Sequence, residues 1–349
     1  MKEYKFTVQE LKTRLDKYLA VQFKDISRSQ IQRDIEAGLV LVNGTVVKVT
    51  KFVVRLNDKI VYHQSEIPNP KSEIQATNTP LKVLYNNNGL LIIDKPAGMV
   101  VHPGAGFKGE TLASALLYNF ADIAVVGEDH RPGIVHRLDK DTSGVILVAK
   151  NQEMYEFLKD AFAERKIKKE YLALVLGHME KRQGFIELPI GKSKTDFRKQ
   201  TTKNPVLSKQ ALTEYKVLEY LELPLSAPTN HKSSSQTLSP GQTGTLPQGG
   251  RVIMSGQAVD SLTLLRVKLH TGRTHQIRVH FASIDHPLIG DELYGRKKIK
   301  LAGLNRQFLH AKRIEVQLPD ETWIEAESEL ASDLKEVLIN LGSKIVKTL

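Results

Sequence analysis

The stretch GIVHRLDKDTSG, residues Gly133–Gly144, packs His136, Arg137, Asp139, Lys140, Asp141, Thr142 and Ser143 between two glycines. Apolar residues flank it: Ile134 and Val135 at its start, and VILVA, Val145–Ala149, just after it. The run after Gly144 is short, continuous and β-branched, which reads as a buried strand. A crowd of charged side chains at the mouth of a buried strand is either a solvated turn or a set of reacting groups. Two carboxylates, Asp139 and Asp141, compete for the second role.

The bulk numbers narrow the choice. The chain has 349 residues, enough for two domains, with 41% hydrophobic and 26% charged residues, ordinary for a globular protein. No apolar run approaches the roughly 18–20 residues that a membrane-spanning helix needs. The amino terminus, MKEYKFTVQELKTRLDKYL, has acidic residues and no apolar core, so it does not read as a signal peptide, and a cytoplasmic location is expected. Cysteine is absent, which excludes disulfides, thiolate metal sites and cysteine nucleophiles. Lys and Arg number 50 against 39 Asp and Glu, a net charge of +11 that suits a polyanionic partner. Aromatics make up only 6%, so a broad stacking surface for single strands is not evident.

Residues 12–62 read as a small α+β module. TRLDKYLA places Leu15, Tyr18 and Leu19 on one helical face, and Ser27 is a good cap for the basic helix RSQIQRDIEAG. LVLVNGTVVK is two apolar runs around Asn43-Gly44, a strong hairpin signal, and RLNDKIVY adds a turn and a strand. Residues 63–80 are polar, contain three prolines and read as a linker. In residues 81–349 strands outnumber helices without regular alternation. LLIID, GVILVA, EYLALVLGH and FLHAKRIEVQL read as strands. TLASALLYNF, NQEMYEFLKDAFAERKIKK (151–169), THQIRVHFASI and a serine-capped SELASDLKEVLINLG read as helices. The fold class is α+β with a mixed, mainly antiparallel sheet. Residues 222–260, rich in Ser, Thr, Pro, Gly and Gln, read as a disordered insert between strands, too poor in apolar side chains to offset the entropy of ordering.

Several motifs fail on context. GAGFKG, Gly104–Gly109, matches a dinucleotide-binding pattern, but no strand runs into it. His270, His275, His280 and His286 lack the helical pairing and the carboxylate of a zinc site. No phosphate-binding loop of the ATPase type is present. No metal, nucleotide or redox cofactor is expected.

Read together, two resemblances emerge. SRSQIQRDIEAGLVLVNGTVV resembles the S-four-type RNA-binding domain, which implies that Arg28, Ser29, Gln32 and Arg33 face RNA. KPAGMVVHPG, HRLDKDTSG, KKEYLALV, GRTHQIRVHFA, HPLIGDELYG and FLHA, in that order, resemble the RluA-type family of RNA pseudouridine synthases. The pairing of HRLDxxTSG with GRTHQIRVH is highly specific, and the resemblance spans about residues 12–340 apart from the insert.

The resemblance implies isomerisation of uridine to pseudouridine in a structured RNA, with large-subunit ribosomal RNA or a pre-ribosomal particle as the expected partner and no membrane partner. The protein is expected to act as a monomer. The base–sugar bond is cut, the base turns, and it is rejoined through carbon five. By the motif register Asp139 is the reacting carboxylate, as nucleophile or as the base that starts sugar elimination; Asp141 is its nearest rival. Arg278 is the cation beside it and Tyr171 stacks on the target base. Arg137 enters the RNA where the base has been flipped out, as it must be to expose its sugar carbon. Arg273 and His275 position the site, and Thr142, Ser143 and Gly144 shape the turn. The basic segments Arg165–Lys169 and Lys192–Lys216 are expected along the phosphate path. A catalytically inactive RNA-binding protein of the same fold is the rival reading. A hydrolytic glycosidase fails for want of a second well-placed acid.

Overall fold

The computed structural model describes residues 2–9, 12–23, 28–64, 74–103, 109–128, 131–196, 198–223, 251–254, 257–295 and 301–349. The amino-terminal module contains β1 (Lys2–Thr7), β2 (Lys12–Arg14), α1 (Leu15–Gln22), α2 (Arg28–Glu36), β3 (Val40–Val42), β4 (Thr45–Val46), β5 (Val53–Arg55) and β6 (Lys59–Gln64). Leu15, Tyr18 and Leu19 of α1 and Ile31 and Ile35 of α2 are buried together with Val40, Val42, Ile60 and Tyr62 of the sheet. The hairpin joining β3 and β4 turns at Asn43 and Gly44, whose φ values of 51° and 79° are the two left-handed positions that such a turn demands.

The module starts earlier than its sequence pattern indicates. β1 pairs antiparallel with β6 from Lys2↔Gln64 to Thr7↔Lys59. It brings Tyr4 and Phe6 onto Phe23, with ring centroids 4.7 and 5.5 Å apart. Its alternation is masked by exposed lysines and glutamate on the other face. The linker is correspondingly shorter: His63 and Gln64 belong to β6, while Ile74 packs on the core of the larger unit and the backbone N–H of Thr77 donates to the carbonyl of Ser114. Ser27 lies outside the described residues, as do residues 65–73 and most of the GAGFKG motif.

The larger unit continues with β7 (Lys82–Asn86), β8 (Leu90–Lys95), α3 (Leu112–Asn119), β9 (Gly127–Glu128), β10 (Arg131–Pro132), β11 (Ser143–Ala149), α4 (Gln152–Ala163) and β12 (Lys168–Leu176). There follow β13 (Gln183–Glu187), β14 (Ile190–Lys192), β15 (Gln200–Thr201), β16 (Val206–Lys209), β17 (Leu212–Glu222), β18 (Arg251–Met254), β19 (Gln257–Leu269), α5 (Gln276–Ser283), β20 (Leu309–Gln317), β21 (Trp323–Glu327) and α6 (Ser332–Asn340). One long sheet runs β13-β17-β19-β12-β20-β11-β8-β7, with β18 on β19 and β21 on β20. Every pairing in it is antiparallel except β11 with β20, so the mixed, mainly antiparallel sheet is as the sequence indicates.

Three local expectations are corrected. The helix at 151–169 stops at Ala163, because Arg165 takes a left-handed φ of 62° and turns the chain into β12. The closing helix is capped by Ala331 with no side-chain bond; Ser328 donates instead to Asp94. The segment 222–260 is strand at both ends, since β17 reaches Glu222 and β18 pairs with β19 from Arg251↔Asp260 to Met254↔Gln257; residues 224–250 lie outside the described residues.

The lone parallel pairing sets the site. Ser143↔His310 and Gly144↔Ala311 bring the start of β11 beside the start of β20, and β12 lies on the other side of β20 with Tyr171 opposite Ala311. Gly144 has φ 112°, and a Cβ there would stand 2.1 Å from the carbonyl oxygen of Ala311. Replacing Gly144 with alanine therefore strains the backbone and forces the two strands apart. Gly144→Ala is expected to destabilise the protein by about 2–4 kcal/mol in denaturant or thermal unfolding; a wild-type midpoint would show that the strands tolerate separation there.

Candidate active site

The turn before β11, the end of β19, the loop 270–275 and the first turn of α5 enclose a pocket of about 410 Å³. Asp139, Tyr171, His275 and Arg278 all line it, with Arg137 and Arg273 at its walls. Stretches far apart in sequence, 135–142, 162–171 and 269–278, thus meet at one place. Asp139 keeps 16% of its side chain exposed, enough to be reached from the pocket. Asp141, the rival carboxylate, is not among the lining residues; its backbone carbonyl is taken by Arg306.

Nη1 of Arg278 donates to Oδ2 of Asp139 at 3.0 Å. The same guanidinium donates from Nε and Nη2 to the two oxygens of Asp291, at 2.7 and 2.9 Å. Two flat groups meeting through two parallel bonds fix orientation as well as distance. Asp291 is itself locked, because it accepts the backbone N–H groups of Leu293 and Tyr294. Burial works against the charge of Arg278, but the bonds to Asp291 and the fields of both carboxylates more than offset it, so its pKa is held above the usual guanidinium range. The ring of Tyr294 lies against the guanidinium, 5.2 Å from its carbon to the ring centre. Asp291 and Tyr294 stand in the HPLIGDELYG stretch, yet no sequence pattern assigns them a role. An acid two residues before an apolar residue and a tyrosine is too common a signal to single out without the fold.

Tyr171 is nearly buried, and burial followed by the nearby Asp139 raises its pKa, so its hydroxyl stays protonated. Arg137 is exposed at the rim. Arg273 is half-buried and donates from Nε to the carbonyl of Gln210. Lys169 is half-buried with its ammonium over the ring of Phe162, and burial brings its pKa down to about 8.

The loop that carries Asp139 is held from behind. Lys95, fully buried, donates from Nζ to the carbonyls of Pro96, Met99 and Lys140 at 2.7, 2.9 and 3.0 Å. Arg306 donates to the carbonyls of Asp141 and Leu309 and to Oγ of Ser143, while Asp333 of α6 accepts two more bonds from it. Gln307 donates to Oγ1 of Thr142, and Ser143 is bonded to Nδ1 of His310. Upstream, His136 accepts the N–H of Leu147; burial pushes its pKa down to about 3, so it serves as a neutral acceptor. On the opposite wall Gln276 accepts from Thr271 and from the N–H of Arg273, and donates to Leu212 and Thr213.

In the amino-terminal module the side chains of Arg28 and Ser29 lie outside the described residues. Arg33 is exposed. Gln32 is half-buried and donates to Asp16, which also takes two bonds from Arg14, so its amide ties α2 to α1. The four histidines are dispersed: His270 bonds Glu214, His275 bonds Tyr294, His280 bonds Thr213 and Leu188, and His286 bonds Leu176. No helix among the described residues is long and apolar enough to cross a membrane.

Comparison with known proteins agrees with this layout. Residues 89–283 match the family model described as RNA pseudouridylate synthase, and residues 13–60 match the S4 domain. An RNA pseudouridine synthase of Aquifex aeolicus is 38% identical, over 84% of this chain and 80% of its own length. The ribosomal large subunit pseudouridine synthase D of Haemophilus ducreyi is 34% identical, over 93% of this chain and 90% of its own. Among solved structures, human RNA pseudouridylate synthase domain containing 1 shares the fold with a TM-score of 0.51 at 23% identity, over 77% of this chain and 97% of that one. The chain belongs to the RluA-type family of RNA pseudouridine synthases and carries an S4 RNA-binding domain ahead of the synthase domain.

Proposed function

We propose that this enzyme isomerises specific uridines of structured RNA, in large-subunit ribosomal RNA or its precursor particle, using Asp139 as the reacting carboxylate. The observation that carries the reading is the 3.0 Å contact of Asp139 with Arg278 inside the pocket that Tyr171 also lines. The reaction breaks the bond between N1 of uracil and the sugar and forms one from C5. The proton that leaves C5 balances the one that N1 gains. Nothing is oxidised and no water is consumed, so the demands on the protein are a carboxylate at the sugar, a surface for the freed base, and shelter from solvent.

Each demand finds a residue. One oxygen of Asp139 is engaged by Arg278, and the other, Oδ1, is the one His275 faces. That carboxylate attacks the sugar or withdraws a proton from it to start elimination, with the Arg278 guanidinium holding its other oxygen in place. The face of Tyr171 supports the uracil while it turns, and its protonated hydroxyl adds no charge to the pocket. Arg137, at the rim, takes the space of the flipped base. Arg165, Lys169 and the basic residues from Lys192 to Lys216 lie along the phosphates, which positions the RNA without reading its sequence. Exposed Arg33, with Arg28 and Ser29, contacts RNA from α2, whereas Gln32 acts by fixing that helix. The protein is proposed to work as a monomer in the cytoplasm.

Three outcomes test this. With unmodified, uridine-labelled ribosomal RNA and no added cofactor, the protein is expected to produce pseudouridine, and Asp139→Asn to bind the RNA normally while losing all product; turnover by that variant would move the chemistry to another residue. Asp291→Asn releases Arg278 from its bidentate partner and is expected to cut kcat about 10–100-fold with little change in RNA affinity. Full activity would mean that Arg278 is held without it. Deleting residues 2–64 is expected to weaken RNA binding at least about tenfold and flatten its salt dependence, with thermal stability of the remainder preserved. Unchanged affinity would remove the RNA role from the module.

A further inference from the structure

His275 is unusual in its backbone as well as its place. It is the N-cap of α5 yet lies in the left-handed region, at φ 55° and ψ 23°, with no side-chain capping bond. A β-carbon residue held there costs stability and persists where the surroundings enforce it, a pattern that concentrates at functional sites. Its ring lines the pocket, with Nε2 3.9 Å from Oδ1 of Asp139 and Nδ1 2.9 Å from the hydroxyl of Tyr294.

The backbone N–H of Gln200 donates to the Tyr294 oxygen at 2.8 Å. The phenol has its own hydrogen to give, and Nδ1 of His275, 2.9 Å away, is placed to accept it. Burial raises the pKa of Tyr294 to about 12, so that hydrogen is retained. Burial lowers the pKa of His275 against the pull of Asp139, Arg278 opposes protonation further, and the smaller fields of Asp291 and Arg137 act in opposite directions. The imidazole is then neutral, with Nδ1 as acceptor and its single hydrogen on Nε2, facing Asp139. The ring of Tyr294 cannot drift, because Ile190, Ala211 and Val279 pack around it.

We infer that His275 is a positioning residue for Asp139, its tautomer set by the Tyr294 hydroxyl so that Nε2–H and Arg278 approach the carboxylate from two sides. This rests on reading Asp139 as the reacting carboxylate. Arg278 takes Oδ2, Nε2–H faces Oδ1, and together they restrict rotation of the carboxylate while the ribose docks. The 3.9 Å separation exceeds a hydrogen bond; it closes with a small side-chain movement when RNA fills the pocket, as unliganded catalytic contacts commonly do. The arrangement also ties the site to the small sheet of β14, β15 and β16, since Gln200 begins β15. A basic surface segment thereby reaches the reacting group through one phenol.

The test uses the full-length protein. In ¹⁵N-labelled wild type at pH 7, the His275 ring is expected to show the Nε2–H tautomer, and Tyr294→Phe to convert it to a mixture. Tyr294→Phe keeps the ring against Arg278 and is expected to lower kcat about tenfold with the RNA dissociation constant unchanged. His275→Gln can place an amide N–H near the position of Nε2–H and is expected to retain several-fold more kcat than His275→Ala; both carry the same left-handed backbone, so that comparison isolates the hydrogen bond. An Nδ1–H or protonated ring, a Tyr294→Phe variant with wild-type kcat or with lost RNA affinity instead, or a glutamine variant no better than alanine would each overturn the inference. Should Tyr294→Phe fail to fold, the wild-type spectrum and the His275 pair decide. The spectrum needs no turnover, so it stands apart from a failure of the Asp139 assignment, which Asp139→Asn reports.

Discussion

One guanidinium organises the site. Arg278 leaves water to sit in the wall of a pocket, and a buried cation without partners is costly enough to unfold or reposition the element that carries it. Here Asp291 supplies the compensation through two parallel bonds, which leaves Nη1 for Asp139. The division matters. A guanidinium bound to Asp139 alone would follow that carboxylate wherever it moved. Bound first to a carboxylate that is fully buried and pinned by two backbone N–H groups, it is a fixed reference to which Asp139 must conform. Breaking the buried pair by removing one partner leaves an uncompensated charge worth about 3–5 kcal/mol, so the geometry is maintained by the same energy that maintains the fold.

The turn bearing Asp139 is secured by a different means. Lys95 and Arg306 are buried donors too, and the bonds they give to the loop, one from Lys95 and two from Arg306, go to its carbonyl oxygens and a hydroxyl rather than to its carboxylates. A loop of polar residues at a sheet edge would otherwise exchange its internal bonds for water. Buried donors aimed at successive residues, 140 to 143, remove that alternative. Because Asp333 anchors Arg306 from α6, the carboxyl-terminal helix is part of the support for a turn almost two hundred residues earlier.

Legibility in the sequence follows from which atoms do the work. Asp139, Tyr171 and Arg278 carry side chains of distinctive chemistry at fixed places in the motifs, and the pocket brings all three together. Periodicity finds α1, α3, β11 and the hairpin at Asn43-Gly44, where one face is apolar and the turn chemistry is decisive. It misses β1, whose outward face of lysine and glutamate hides Tyr4 and Phe6, and it carries α4 too far because nothing in ERK announces a left-handed arginine. Gln32 faces RNA only by the resemblance to the S-four-type domain; the fold adds a bond from its amide to Asp16 that the sequence does not announce. Asp291 and Tyr294 are invisible for another reason: they act on Arg278 and His275, not on a substrate, and a residue that works through another has no pattern of its own until the fold shows what it touches.

The same distinction explains the shape of the motif HRLDxxTSG. The two open positions fall on Lys140 and Asp141, and these are the residues that offer the loop-holding cations their backbone carbonyls. Any residue has a carbonyl, so these two contacts place no demand on the side chain. Thr142 and Ser143 are bonded through their hydroxyls, to Gln307, Arg306 and His310, and Gly144 has no room for a Cβ beside Ala311. Those positions are fixed by side-chain chemistry or by its absence. The named and open letters thus follow where the loop is gripped by its side chains and where by its backbone: Asp139 brings its carboxylate to the pocket, while Asp141 gives its peptide oxygen to Arg306 behind it.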